Sequence, residues 1–141
     1  MFATFFYGIL DRNKSSFTST NAGHNPPLLF RADGRIERLN AGGLLLGFMP
    51  DQQYAQQTVQ LEPGEVIVLY TDGITEAVRP SSEKTEDRFF GEDRLVNIIR
   101  ANLARSAGES QSAILKAISD HIEDSFQGDD ITLVVIKRKE K

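Results

Sequence analysis

This chain has few residue types with which to do chemistry. It has no cysteine and only two histidines, His24 and His121, which excludes a thiolate nucleophile, a thiolate zinc site and a histidine-rich metal cage. Carboxylates remain. Asp72 stands in Tyr-Thr-Asp-Gly-Ile-Thr-Glu76, directly after an apolar run over 66–70, and Gly73 permits a tight turn that leaves the acid at the strand mouth. Asp129 and Asp130 precede a second apolar run over 131–136, again beside a glycine. If the two runs are neighbouring strands of one sheet, the acids converge. Oxygen ligands without sulfur or imidazole suit a hard cation, Mg²⁺ or Mn²⁺, which can activate water and neutralise a phosphoryl group. The same residues have a plainer explanation. Asp-Gly is a common turn dipeptide and Asp129 can follow a helix end as an Asx-type turn, so spacing alone favours turns over metal ligation. His24, in Asn-Ala-Gly-His-Asn-Pro, reads as a hydrogen-bonding loop residue before a general acid. His121 reads as packing, Glu76 as a solvated helix residue, and Glu83, Glu86 and Asp87 as a solvated loop.

Two kinds of element must position these acids. The first half predicts strands: 2–10 and 16–20 as a hairpin around a polar turn, and 28–31 and 35–39 as a second hairpin over Ala32-Asp33-Gly34. Gly42, Gly43 and Gly47 mark an irregular loop, 54–61 is a further short strand, and Pro63-Gly64 turns the chain into 66–70, whose consecutive apolar residues predict burial on both faces. The second half changes period. Leu95, Ile98, Ile99 and Leu103 share one face of a helix over 92–105. Ile114, Ile118, Ile122 and Phe126 share one face of a second helix over 110–126, with Ser110 as N-cap and Gly128 near its stop. The two helices are expected to form an antiparallel pair. Residues 79–89 are polar and aperiodic, a surface loop or mobile flap, and 131–136 is a buried strand.

Composition bounds the rest. The 141 residues, 40% hydrophobic and 26% charged, suit one domain over 1–141 that folds. A net charge of −4 with basic residues dispersed, apart from Lys137, Arg138, Lys139 and Lys141, shows no footprint for nucleic acid. The apolar N-terminus has no basic lead and meets Asp11 and Arg12 too early for a signal peptide or a membrane span, so the expected location is the cytoplasm, with no membrane partner.

Four stretches in order, Phe-Phe-Tyr-Gly-Ile-Leu-Asp11, Asn-Ala-Gly-His-Asn-Pro-Pro27, Leu-Glu-Pro-Gly-Glu-Val-Ile-Val-Leu-Tyr-Thr-Asp-Gly-Ile-Thr-Glu-Ala77 and Gly-Asp-Asp-Ile-Thr-Leu-Val-Val135, cover essentially the whole chain. Together they resemble the SpoIIE/RsbU-type serine phosphatases, bacterial members of the metal-dependent PP2C-like (PPM) family. The resemblance implies an α+β fold, an antiparallel β-sandwich flanked by helices, with a binuclear Mn²⁺/Mg²⁺ site whose bridging water attacks phosphoserine or phosphothreonine. By matching motif it makes Asp72 and Asp129 metal ligands and catalytic acids. Asp130 shares the metal-ligand assignment alone, because the adjacent pair leaves a one-residue ambiguity. The Asn-Ala-Gly-His turn is a family hallmark to which no catalytic role is assigned.

The family's earlier Asp-Val-x-Gly-His-Gly motif, whose aspartate bridges both metals, has no counterpart here. The expectation is therefore the C-terminal portion of a phosphatase domain, incomplete at the N-terminus, with a weak or empty second metal site and impaired catalysis. Uncovered sheet edges and an apolar face are expected to favour self-association. The resemblance further implies partner-switching signalling of the stress-response type. Its partners would be a phosphorylated anti-sigma-factor antagonist-like protein as substrate and an upstream sensor or receiver domain in a longer chain. The alternatives are a noncatalytic protein-binding module with a degenerate phosphatase fold, and a β-rich structural domain in which both acidic motifs are turns.

Overall fold

The computed structural model describes residues 1–123 and 129–140. They fall into two compact units, Met1–Ile67 with the residues from Arg138 onward, and Val68–Lys137.

In the first unit, β1 (Phe5–Asp11) pairs antiparallel with β2 (Ser16–Ala22), Phe5 opposite Ala22 and Asp11 opposite Ser16. The Asp11 carboxylate closes the turn by accepting from the backbone N–H groups of Asn13 and Lys14, each at 3.0 Å. β2 is the buried middle strand, its other edge taken by β6 (Gln57–Gln60), with Phe17 opposite Val59. The expected loop at Gly42 and Gly43 is instead β5 (Gly42–Gly43), which runs parallel to the end of β2. Glycine is needed there, because a Cβ on Gly42 would lie 1.7 Å from the Asn21 carbonyl oxygen. β6 is also shorter than the strand expected over 54–61.

The second expected hairpin is present. β3 (Leu28–Phe30) and β4 (Ile36–Arg38) pair antiparallel around Gly34 at φ +91°, and β3 borders β7 (Val66–Tyr70). Leu28, Leu29 and Phe30 are all buried here, as is Glu65. The Glu65 carboxylate accepts from Arg31 Nη1 at 2.9 Å and from the backbone N–H groups of Glu62 and Ala32 at 2.9 and 3.1 Å, so a buried charge is fully partnered.

β7 enters the second unit at Val68 and ends beside β8 (Leu133–Lys137), and among the described residues four helices follow or intervene: α1 (Asp72–Thr75), α2 (Thr85–Arg88), α3 (Gly91–Ala101) and α4 (Ala107–Ile122). β7 has the predicted limits and is buried along nearly its whole length. β8 departs from the sequence expectation: it starts at Leu133 and leaves Val134 43% exposed, so it is a half-buried strand. Residues 79–89 are not a free loop. They contain α2 and are closed at the base by a Val78–Phe89 bridge.

The apolar stripe of α3 buries Leu95 and Ile99, and that of α4 buries Ile114 and Ile118. The α4 N-cap is Ser106 and not Ser110: the Ser106 hydroxyl accepts from Glu109 N while the Glu109 carboxylate accepts from Ser106 N, a reciprocal capping box. Ser110 lies buried inside the helix and donates to the Asn102 carbonyl at 3.2 Å. Phe126 and Gly128, placed above at the end of this helix, lie outside the described residues. Among the described residues no helix is long and apolar enough to cross a membrane.

Candidate functional site

All three candidate acids belong to the second unit, and the end of β7 shows how their segments meet. Beyond Tyr70 the backbone N–H of Thr71 donates to the Thr132 carbonyl at 3.2 Å. The Thr132 N–H in turn donates to the Thr71 hydroxyl oxygen at 3.0 Å, and that hydroxyl donates to the Asp130 carbonyl at 3.4 Å. The turn carrying Asp72 is thus hydrogen-bonded to the segment carrying Asp129 and Asp130, as required if the two acidic motifs are to act together.

Gly73 tightens the approach. It is buried, and a Cβ built on it would stand 2.1 Å from the Asp130 carbonyl oxygen. Its φ is not positive, so the need for glycine is steric contact with the opposing segment and not the turn conformation. The strand end is also held from the helix side, where the buried Tyr70 hydroxyl donates to Glu92 of α3 at 3.0 Å.

Asp72, Asp129 and Asp130 are all exposed residues. Asp72 opens α1 and its carbonyl accepts from Glu76 N at 2.8 Å. One Asp129 carboxylate oxygen accepts from the adjacent Asp130 N at 2.8 Å, a bond to the next residue and not the two-residue reach of an Asx turn. The donor set is carboxylate oxygen alone, the chemistry of a hard divalent cation. Among the described residues no three His, Cys, Asp or Glu side chains gather closely enough to hold a metal ion by themselves. In kind the donors fit Mn²⁺ or Mg²⁺. In number they supply part of a coordination shell, with water or further groups required for the rest.

The other candidates have partners of their own. His24 is a hydrogen-bonded loop residue of the first unit: its N–H donates to the Asn21 side chain at 2.7 Å, its carbonyl accepts from the same side chain at 3.0 Å, and its Nδ1 is 3.3 Å from the Thr4 hydroxyl. His121 is packing, as its place on the helix suggests, with its ring edge-on to Phe90 at 5.5 Å and Nε2 3.1 Å from the Arg88 carbonyl. Glu76 is exposed. Asp87 is more than a solvated loop residue, because it pairs with Arg94 at 3.1 Å and so ties α2 to α3. Sequence reasoning did not single out Thr71 or the close approach at Gly73. Both depend on the pairing register, and only the clustering of small and hydroxyl residues around Asp72 hinted at them.

Comparison with known proteins adds to this geometry. The family model described as Stage II sporulation protein E (SpoIIE) matches residues 1–139. Protein IcfG of Synechocystis sp. is 35% identical over 138 residues, 98% of this chain and 21% of that protein. Phosphoserine phosphatase RsbU of Bacillus subtilis is 35% identical over 140 residues, 99% of this chain and 40% of that protein. The chain therefore spans less than half the length of these relatives. Among solved structures, the SiaA PP2C domain of Pseudomonas aeruginosa superimposes with a TM-score of 0.78 at 19% identity, over 97% of this chain and 52% of that one. The manganese-presoaked SpoIIE phosphatase domain of Bacillus subtilis gives 0.64 at 17%, over 99% and 58%. The RsbU and RsbW domains of Rv1364c from Mycobacterium tuberculosis give 0.64 at 25%, over 97% and 36%.

Proposed function

We propose, because this chain belongs to the SpoIIE family and has the PP2C-like α+β fold, that it works as part of a metal-dependent protein serine/threonine phosphatase. The observation that carries this reading is the set of hydrogen bonds from Thr71 to Thr132 and Asp130, which sets the Asp72 turn against Asp129 and Asp130. The phosphoserine phosphatase activity in the name of RsbU and the manganese soak of the SpoIIE domain support it.

In this reading Asp72 and Asp129, with Asp130 beside them, hold Mn²⁺ or Mg²⁺ through carboxylate oxygens. When bound, such a cation supplies Lewis-acid charge and an activated water near neutral pH. The protein's own part is placement. The three exposed carboxylates present negative charge to the cation, Gly73 lets the two backbones approach, and Tyr70 with Glu92 fixes the strand end. In the reaction a water oxygen forms the new bond to phosphorus and the bond from phosphorus to the serine oxygen breaks. Serine and inorganic phosphate are the products.

The proposed substrate is a small phosphorylated regulatory protein, an anti-sigma-factor antagonist, in a cytoplasmic partner-switching system. The pairing of RsbU and RsbW domains in Rv1364c supports a partner of that class. The same reading includes self-association through the exposed face of β1.

A second reading, a noncatalytic module that docks the phosphoprotein, is favoured by the incomplete set of ligating side chains among the described residues. One experiment separates the two: Mn²⁺-dependent hydrolysis of a phosphoserine protein by this chain and by a chain extended upstream with an acidic metal motif, each beside its Asp72→Asn variant. The phosphatase reading expects turnover in the extended chain that falls at least about a hundredfold in Asp72→Asn with the circular dichroism unchanged, the size of loss seen when a group that stabilises the transition state is removed. Retention of the phosphoprotein on immobilised chain, with no turnover from either length, selects the docking module.

A further inference from the structure

We propose that Thr71 is a positioning residue whose hydroxyl fixes the Asp72 carboxylate relative to Asp129, an inference that rests on the reading of these acids as a metal site. Thr71 is the N-cap of α1, with extended backbone at φ −102° and ψ 163°. Threonine at an N-cap ordinarily turns its oxygen back on the N–H groups of its own helix. Here, among the described residues, no such cap bond is made. The hydroxyl is directed across to the other acidic segment, accepting from Thr132 N at 3.0 Å and donating to the Asp130 carbonyl at 3.4 Å. Helix α1, four residues long, forgoes its cap, and the two segments that carry the acids gain a bridge.

The bridge uses the hydroxyl as donor and as acceptor at once, which a β-branched hydrocarbon of the same shape cannot do. It acts together with Gly73, the next residue but one. Gly73 approaches the same Asp130 carbonyl so closely that a Cβ would stand 2.1 Å from it, so the opposing backbone can settle against the turn only where a side chain is missing. The Thr71 hydroxyl supplies the attraction and Gly73 the room. Carboxylates carried on two chain segments hold a cation only when the segments keep a fixed spacing, and groups that orient metal ligands in this way commonly set affinity by ten- to a hundredfold.

The test compares wild type with Thr71→Val, which keeps the shape and loses the hydroxyl, and Thr71→Ser, which keeps the hydroxyl. Three quantities are read: the Mn²⁺ dissociation constant by calorimetric titration of the chain, backbone resonances and amide exchange by NMR, and the unfolding midpoint. The expectation for Thr71→Val is faster exchange of the Thr132 amide, shifted resonances at Asp72 and Asp129, and Mn²⁺ affinity weakened about tenfold, with α4 resonances unmoved. Thr71→Ser is expected to stay within about twofold of wild type, as a variant that retains the orienting group should. Unchanged Mn²⁺ affinity in Thr71→Val, or equal weakening in Thr71→Ser, overturns the proposal, as does a lowered unfolding midpoint with no change in affinity. If wild type binds no Mn²⁺, the metal reading fails separately. Positioning is then judged by the Asp72 and Asp129 resonances alone, and their constancy in Thr71→Val overturns it.

Discussion

His121 is a base with almost no access to water: 2% of its surface is exposed, and Nε2 meets the Arg88 carbonyl at 3.1 Å. Burial holds its basicity below the ordinary value of 6.5, and the guanidinium groups of Arg79 and Arg94 add to the effect, outweighing the backbone groups of Arg88 and Ala77 that pull the other way. The unfolded chain therefore binds a proton that the folded chain refuses. Stability contributed by neutral His121 is complete above pH 6.5 and is lost as pH falls from there toward the lowered folded value. Urea unfolding at a series of pH values should show stability declining below about pH 6.5 in wild type and a shallower decline in His121→Gln; identical slopes would exclude this origin. Glu65 behaves in the opposite sense. Burial pushes its carboxyl up, but the N–H groups of Glu62 and Ala32 and the Arg31 guanidinium together hold it below 4.5. Its contribution is present above pH 4.5 and is lost as pH falls through the lowered folded value. Glu65→Gln at neutral pH should cost about 2 kcal/mol, the worth of hydrogen bonds made to a buried charge, measured as a shift in the urea midpoint at constant slope.

At the scale of elements, the Ser106 capping box gives the cleanest prediction: Ser106→Ala should destabilise the chain by about 1 kcal/mol, while Ser110→Ala, at the position first suggested by the sequence, should act through its buried bond to Asn102 and not through helix initiation. Amide exchange in the first turn of α4 distinguishes the two, because only loss of the Ser106 cap should raise it. The Ser106-x-x-Glu109 spacing was readable in the sequence, but the apolar stripe beginning at Ile114 drew the start of the helix toward the nearer serine. β7 was legible to the residue because a continuous apolar run has no competing period, and the β3–β4 hairpin because Asp33-Gly34 admits few other turns. β5 was not legible. Two glycines form a strand only because Asn21 of β2 is there to pair with them, and no local pattern announces a distant partner. The candidate site divides in the same way. Asp72 at the mouth of a strand follows from the apolar run before it, whereas the approach of Thr71 and Gly73 on either side of it to Asp130 depends on register, which spacing does not encode. Asp129 accepts from its neighbour Asp130 N, a bond that does not choose between turn and ligand, and the reading of these acids as metal ligands comes from family resemblance and not from spacing.

For the molecule as a whole, β1 carries an apolar face that is exposed among the described residues. Phe5, Tyr7 and Ile9 alternate along the strand and so share one side, and they are 51%, 53% and 54% exposed. The opposite side of the same strand is occupied, Phe6 stacking near-parallel on Phe17 at 6.4 Å and Gly8 lying against the Phe17 ring. Among the described residues β1 is also the end strand of its sheet, so an apolar row and a backbone edge without a strand partner coincide, the combination that soluble proteins usually interrupt with charge or proline. A net charge of −4 opposes association, and that repulsion is screened as salt rises, with a Debye length falling from about 10 Å at 0.1 M to about 3 Å at 1 M. Sedimentation velocity should therefore show reversible, concentration-dependent self-association that strengthens with added salt. The double variant Phe5→Lys with Ile9→Lys places cations on the same row without touching the Phe6–Phe17 side, and it should sediment as a monomer with an unchanged unfolding midpoint. Should wild type sediment as a monomer at every concentration and salt, the row is not an association surface. Should the lysine variant still associate, the contact lies on another face. Salt also separates this contact from one held by ion pairs, because a charge-driven dimer loosens as salt rises while an apolar one tightens.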